Sequence, residues 1–137
     1  MPEIVVLDSH LWFWWINQEF DRFPDPWREL IEQSARVGVS PVSCYELALA
    51  RSRGRLQMPC DPRAWFQEAL DPAGIELLAL TPEIAARAVA LAEIHRDPFD
   101  RIIIATALDY GAGLASVDGT FPRYPELQEI LLDNGAV

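Results

Sequence analysis

The chain contains no lysine: its eleven basic residues are all arginine, set against 21 Asp and Glu, for a net charge of −10. A coding bias toward Arg, Ala and Pro accounts for the absence, which still excludes a P-loop, because that motif ends in a phosphate-binding lysine. The acidic balance argues against a protein that holds nucleic acid by bulk electrostatics. It leaves a nuclease open, since bound divalent cations and local arginine patches act at short range. Cysteine is scarce too. Cys44 and Cys60 form no disulfide framework and no Cys/His zinc spacing, and read as two reduced, partly buried thiols. The only histidines are His10 and His95, and nothing marks a nucleophile elbow that would join one of them to Cys44 or a serine. No apolar run approaches the ~18 residues of a membrane span. The start, Met-Pro-Glu-Ile-Val-Val-Leu-Asp8, lacks a basic region and meets an acid after four apolar residues, so no signal peptide and a cytoplasmic location are expected.

What is present suffices for a core. Half of the 137 residues are hydrophobic, and a single domain of this length, here residues 1–137, buries roughly 65–70% of its unfolded surface without staples. Residues 4–7 are a β-branched run ending at Asp8, the pattern of a buried parallel strand. Ser9 is expected to cap a helix to about Asn17, with Leu11, Trp12, Trp15 and Ile16 inward. Asp25-Pro26 opens a second helix with Asp25 as cap. Strand 37–40 leads into helix 41–53, closed near Gly54. Helix 61–71 turns Trp65, Phe66 and Leu70 inward, and strand 75–80 follows. Thr81-Pro82-Glu83 starts a helix carrying Ile84, Ala88, Leu91 and Ala92 on one face. Asp97-Pro98 starts another, heavily buried, that ends at Gly111. Strand 114–117 stops at Asp118, and the tail 127–132 suits a helix or an edge strand equally. Alternating strands and helices predict a three-layer α/β/α domain with a mostly parallel sheet of four or five strands.

In such a sheet the site lies at the carboxyl ends of the strands, where strand order reverses. Asp8 and Asp118 both follow strands, Glu46 lies in the helix after the second strand, and Asp100 lies in the first turn of the buried helix. Four carboxylates from separate segments can thus meet in one crevice. Two carboxylates ~5 Å apart repel by ~3 kcal/mol at an effective dielectric of ~20, so the cluster calls for a cation. Hard oxygen donors favour Mg²⁺ or Mn²⁺. Each acid also has a plainer reading. Asp97 is most simply a helix N-cap, Asp100 then completes a capping box, Asp8 and Asp118 are turn residues, and Glu46 is a solvated helix residue. Dehalogenase-like phosphatases and receiver domains also use a strand-terminal aspartate. Both need a lysine, and the first would need an acid where His10 stands.

These segments resemble PIN-domain proteins, and in particular the VapC-like toxins of bacterial toxin–antitoxin pairs. The resemblance runs from Ile4 to about Tyr124. It rests on Val-Leu-Asp8-Ser9-His10 with Trp12-Phe-Trp-Trp15, on Ser40-Pro-Val-Ser43-Cys-Tyr-Glu46, on His95-Arg-Asp97-Pro-Phe-Asp100-Arg, and on Leu114-Ala-Ser116-Val-Asp118. The third segment is the most specific. Ser9 and Ser116 stand where threonine is usual, and Arg51 where many members have lysine.

The resemblance implies a PIN-like fold and a metal-dependent ribonuclease. Asp8, Glu46, Asp100 and Asp118 would be its catalytic and metal-binding acids, with Mg²⁺ or Mn²⁺ as cofactor. Ser9, Ser116, Asp97 and Arg101 would support them, Arg101 by holding a carboxylate or phosphate. Arg51, Arg53 and Arg55 either meet the RNA backbone or form a solvated helix end. The implied partners are an RNA substrate, a cognate antitoxin protein and a second copy of the chain. Trp14, on the far side of its helix from Trp12 and Trp15, is expected to face solvent, a dimer partner or an antitoxin peptide. Alternatives are a PIN nuclease of RNA processing and a PIN-like interaction module that does not cleave.

Overall fold

In the computed structural model, which describes residues 3–133, ten regular elements follow one another along the chain. They are β1 (Ile4–Leu7), α1 (Ser9–Ile16), α2 (Asp25–Gln33), β2 (Arg36–Val39), α3 (Pro41–Ser52), α4 (Pro62–Ala69), β3 (Ile75–Leu77), α5 (Pro82–Ala90), α6 (Pro98–Asp109) and β4 (Gly113–Ala115). The sheet runs β3-β2-β1-β4 and every pairing is parallel. Val5 sits between Val37 and Gly113 in the register.

The side-chain period of two divides β1 between two cores. Val5 and Leu7 pack with Trp12, Trp27 and Trp65 of α1, α2 and α4. Ile4 and Val6 pack with Ile103, Ile104, Phe121 and Tyr124 on the other face. Helices therefore cover both faces, and the three-layer α/β/α arrangement stands. Gly38 in β2 is required by close approach: a Cβ there would lie 2.8 Å from the Leu78 side chain. Gly111 ends α6 at φ +61°, where a residue with a side chain would be strained. None of the described helices is long and apolar enough to cross a membrane.

Several boundaries differ from the sequence reading, each for a local reason. Asp8, not Ser9, caps α1, its Oδ1 accepting from the Leu11 amide at 2.9 Å. Asp25 is the first helical residue of α2, whose N-cap is Pro24. β3 stops at Leu77 rather than Leu80, and both leucines are exposed. β4 spans 113–115 rather than 114–117, because the chain turns at Ser116, whose hydroxyl accepts from the Asp118 amide at 3.1 Å. α5 ends at Ala90, before Leu91 and Ala92. The tail is neither helix nor full strand. After short 3₁₀ turns at Phe121–Arg123 and Pro125–Leu127 it makes one parallel bridge, Leu131 to Leu114. The Trp27 indole ties α2 to this tail through the Asp133 carbonyl. Cys44 is half-buried, and burial raises its thiol pKa; Cys60 is exposed rather than partly buried.

Candidate active site

β1 and β4 are neighbours, but the chain leaves β1 toward β2 on one side and reaches β4 on the other. The strand order reverses between them, and a crevice opens there. Asp8 leaves β1 at that point, Asp118 follows β4, Glu46 comes from α3 and Asp100 from the first turn of α6. All four line one cavity of about 330 Å³, together with Ser9, His10, Trp14 and Asp97. A second cavity of about 320 Å³ shares Ser9, His10, Glu46 and Asp97 and adds Arg53, Arg55 and Phe99. A wider one of about 800 Å³ lies along α5 and α6, is mostly apolar, and contains none of the four acids. The smaller pair is the better candidate because it gathers the reactive groups.

The four acids sit in unlike surroundings. Asp8 is buried and receives hydrogen bonds from the Leu11 amide and from Ser116. Burial nevertheless raises its pKa, and Asp118 adds to the rise. Glu46 Oε1 accepts from Ser9 Oγ at 2.8 Å, and Ser9 Oγ lies 2.9 Å from Ser43 Oγ. Ser9 has one proton. When it donates to Glu46 it must accept from Ser43, so the three form a directed chain. Burial, Asp97 and Asp8 raise Glu46. Asp118 Oδ1 accepts from both the amide and the hydroxyl of Thr120, each at 2.8 Å. Asp100 accepts no hydrogen bond among the described residues. Burial first, then Asp97, Glu46, Asp118 and Asp8, push it up to about 8.

Among the described residues no arginine is within ion-pair distance of any of the four; the pairs formed are Arg22–Glu19, Arg28–Glu32, Arg36–Glu76 and Arg87–Asp109. A largely half-buried group of carboxylates without an arginine partner suits a hard divalent cation. Two sets of ligand atoms lie within 4.8 Å of one another: Glu46, Asp97 and Asp100, and His95, Asp100 and Asp118. Asp100 belongs to both sets. Asp8 lines the same cavity but belongs to neither.

The PIN domain family model matches residues 5–127, all of the segments just described. The chain belongs to the PIN domain family. Over 115 residues it is 34% identical to "Ribonuclease VapC22" of Mycobacterium tuberculosis, covering 83% of this chain and 86% of that one. Its fold is similar to that of VapBC2 from Rickettsia felis, solved bound to a promoter DNA fragment, with a TM-score of 0.66, 20% identity, and 94% and 97% of the two chains covered. A toxin–antitoxin complex from Klebsiella pneumoniae aligns with a TM-score of 0.60 at 15% identity, covering 97% and 99%.

In this PIN domain the supporting residues divide. Ser9 and Ser116 hold Glu46 and Asp8 respectively. Asp97 caps α6, its Oδ1 accepting from the Phe99 amide at 3.0 Å, and stays exposed within reach of Glu46 and Asp100. Arg101 pairs with no carboxylate among the described residues. Its guanidinium donates to the carbonyls of Val89, Leu91, Ala92 and His95. Carbonyls at the end of α5 have no partner in a next turn, and a cation at a helix C-terminus satisfies them. Arg53 and Arg55 line the second cavity, whereas Arg51 is exposed and lines neither.

Trp12 is buried with its indole on the Ala69 carbonyl, and Trp15 packs against Phe20 and Phe23. Trp14 turns into the acidic cavity beside His10, with ring centres 5.8 Å apart. Two functional neighbours escaped sequence reasoning. Thr120 had no signal beyond its place two residues after Asp118. His95 had one, its position at the head of the His-Arg-Asp-Pro-Phe-Asp-Arg segment.

Proposed function

We propose that this PIN domain is a Mg²⁺- or Mn²⁺-dependent endoribonuclease, the toxin of a toxin–antitoxin pair, with Asp8, Glu46, Asp100 and Asp118 as its working acids. The observation that carries the reading is the convergence of those acids, unpaired with any arginine among the described residues, in one cavity of a chain 34% identical to a ribonuclease. Glu46 and Asp100 would hold the cation, with Asp97 beside them, Asp118 close to Asp100, and Asp8 completing the negative wall. When bound, the cation supplies positive charge that strengthens water as a nucleophile and offsets charge building on the phosphate.

The chain's own groups do the positioning. Ser9 and Thr120 donate to Glu46 and Asp118 and hold each carboxylate in one orientation. Ser116 does the same for Asp8. Arg53 and Arg55 meet the RNA backbone along the second cavity, supplying locally the positive charge that a chain of net charge −10 lacks overall. Arg51 is free to join them only at the rim. Similarity in fold to VapBC2 and to a toxin–antitoxin complex supports a cognate antitoxin partner, and a homodimer and a cytoplasmic location complete the reading.

The test is cleavage of a structured-RNA panel by antitoxin-free protein with Mg²⁺, with Mn²⁺ and with EDTA, beside folded Asp8→Asn and Asp100→Asn variants. Cutting that needs metal and is lost in both variants is expected. Cutting that persists in EDTA, or in both variants, would refute the site.

A further inference from the structure

His95 lies just before α6 and lines the wider cavity along α5 and α6, with one ring nitrogen next to Asp100 of the acidic cavity. Its Nδ1 is 3.1 Å from the hydroxyl of fully buried Tyr124, and its ring packs against the Tyr124 and Phe121 rings. Its Nε2 is closed off from solvent and has no hydrogen-bond partner. That nitrogen lies 3.5 Å from Asp100 Oδ2. The separation is too long for a charge-assisted hydrogen bond, which runs ~2.7–2.9 Å. It does suit two donors on one cation: ligand atoms ~2.1 Å from a metal and separated by roughly 90–110° lie about 3.0–3.5 Å apart.

Asp118 brings a third donor within 4.8 Å, and its Oδ1 is held by the amide and hydroxyl of Thr120. A metal-bound histidine usually has its second ring nitrogen held by a polar partner, which sets the tautomer and leaves a lone pair on the ligating nitrogen. The Tyr124 hydroxyl occupies that place. An orphaned, buried ring nitrogen aimed at two carboxylates is thereby explained.

We infer that His95 is a direct nitrogen ligand at a second cation position, formed with Asp100 and Asp118 and sharing Asp100 with the all-oxygen position of Glu46 and Asp97. An imidazole donor turns this end of the cleft from Mg²⁺ toward Mn²⁺ or another first-row cation. This rests on the metal-dependent reading above, and the experiment separates the two.

The experiment is pulsed EPR on the folded, RNA-free protein, its affinity tag removed, loaded with Mn²⁺ to saturation. Imidazole nitrogen coupling to the manganese is expected in the wild type. It should persist in His10→Gln, which removes the only other histidine, and vanish in His95→Gln, whose oxygen still ligates but which offers no ring nitrogen. Thermal unfolding checks that both variants are folded. Bound Mn²⁺ without imidazole coupling in the wild type, or coupling that survives His95→Gln, would overturn the inference and leave the nuclease reading intact. Failure of the wild type to bind Mn²⁺ at all would overturn both.

Discussion

Asp8 and Asp100 face the same cavity, yet the chain treats them in opposite ways. The β1–α1 junction builds Asp8 into the fold: it caps a helix, accepts from a backbone amide and takes a hydrogen bond from Ser116. The first turn of α6 gives Asp100 no such donor and surrounds it with four other acids. Asp8 is held in place by protein donors although burial raises its pKa; Asp100 has no such donor and is pushed up to about 8. Buried carboxylates side by side cost stability, and clefts that accept this cost are functional more often than structural. The contrast suggests a division of labour in which Asp8 shapes the cleft and Asp100 is the acid whose state a cation sets.

The largest test of that contrast is pH. In the folded, metal-free protein Asp100 keeps its proton up to about pH 8, whereas its unfolded value is 3.8. Folding therefore takes up a proton between those limits. The stabilisation is complete below about pH 4 and disappears as pH rises toward 8. Asp8 and Glu46, also raised, act with the same sign. The melting temperature in EDTA should fall from pH 5 to pH 8.5, and Asp100→Asn should flatten the fall. A slope equal to that of the wild type would show that Asp100 does not drive it.

Next in size are the hydroxyls. Ser9→Ala and Ser116→Ala remove groups that orient Glu46 and Asp8, and partners of this kind cost about 10–100-fold in metal affinity or activity. Because Glu46 would be a ligand and Asp8 belongs to neither ligand set, Mn²⁺ calorimetry should show the larger loss in Ser9→Ala. The smallest effect is the cap. Asp8→Ala should lower unfolding stability by about 1 kcal/mol, and Asp8→Asn by much less, because asparagine caps as well as aspartate does. Urea unfolding decides it; equal losses would mean that Asp8 is not a working cap.

The elements could be read in the sequence because they are local. Thr81-Pro82-Glu83 and Asp97-Pro98 marked where α5 and α6 begin, and the apolar run before Asp8 marked β1. The ends were less legible. α5 stops at Ala90 because Arg101, eleven residues on, takes the carbonyls beyond it, and no periodicity in residues 81–92 encodes that donor. The same bonds turn the Arg101 guanidinium to backbone carbonyls rather than to the four acids. Trp14 was set apart from its neighbours by helical spacing, but its destination depended on how α1 lies across β1.

The sequence by itself determined the order of strands and helices and the placement of aspartates at two strand ends, because strand and helix periodicity, caps and breakers act over a few residues. Only the tertiary structure decided which polar groups meet. It set Ser9 on Glu46, Tyr124 behind His95 and Asp100 between two ligand sets. Those contacts join residues 29 to 37 positions or more apart, or depend on burial depth, and both are products of packing rather than of any local pattern.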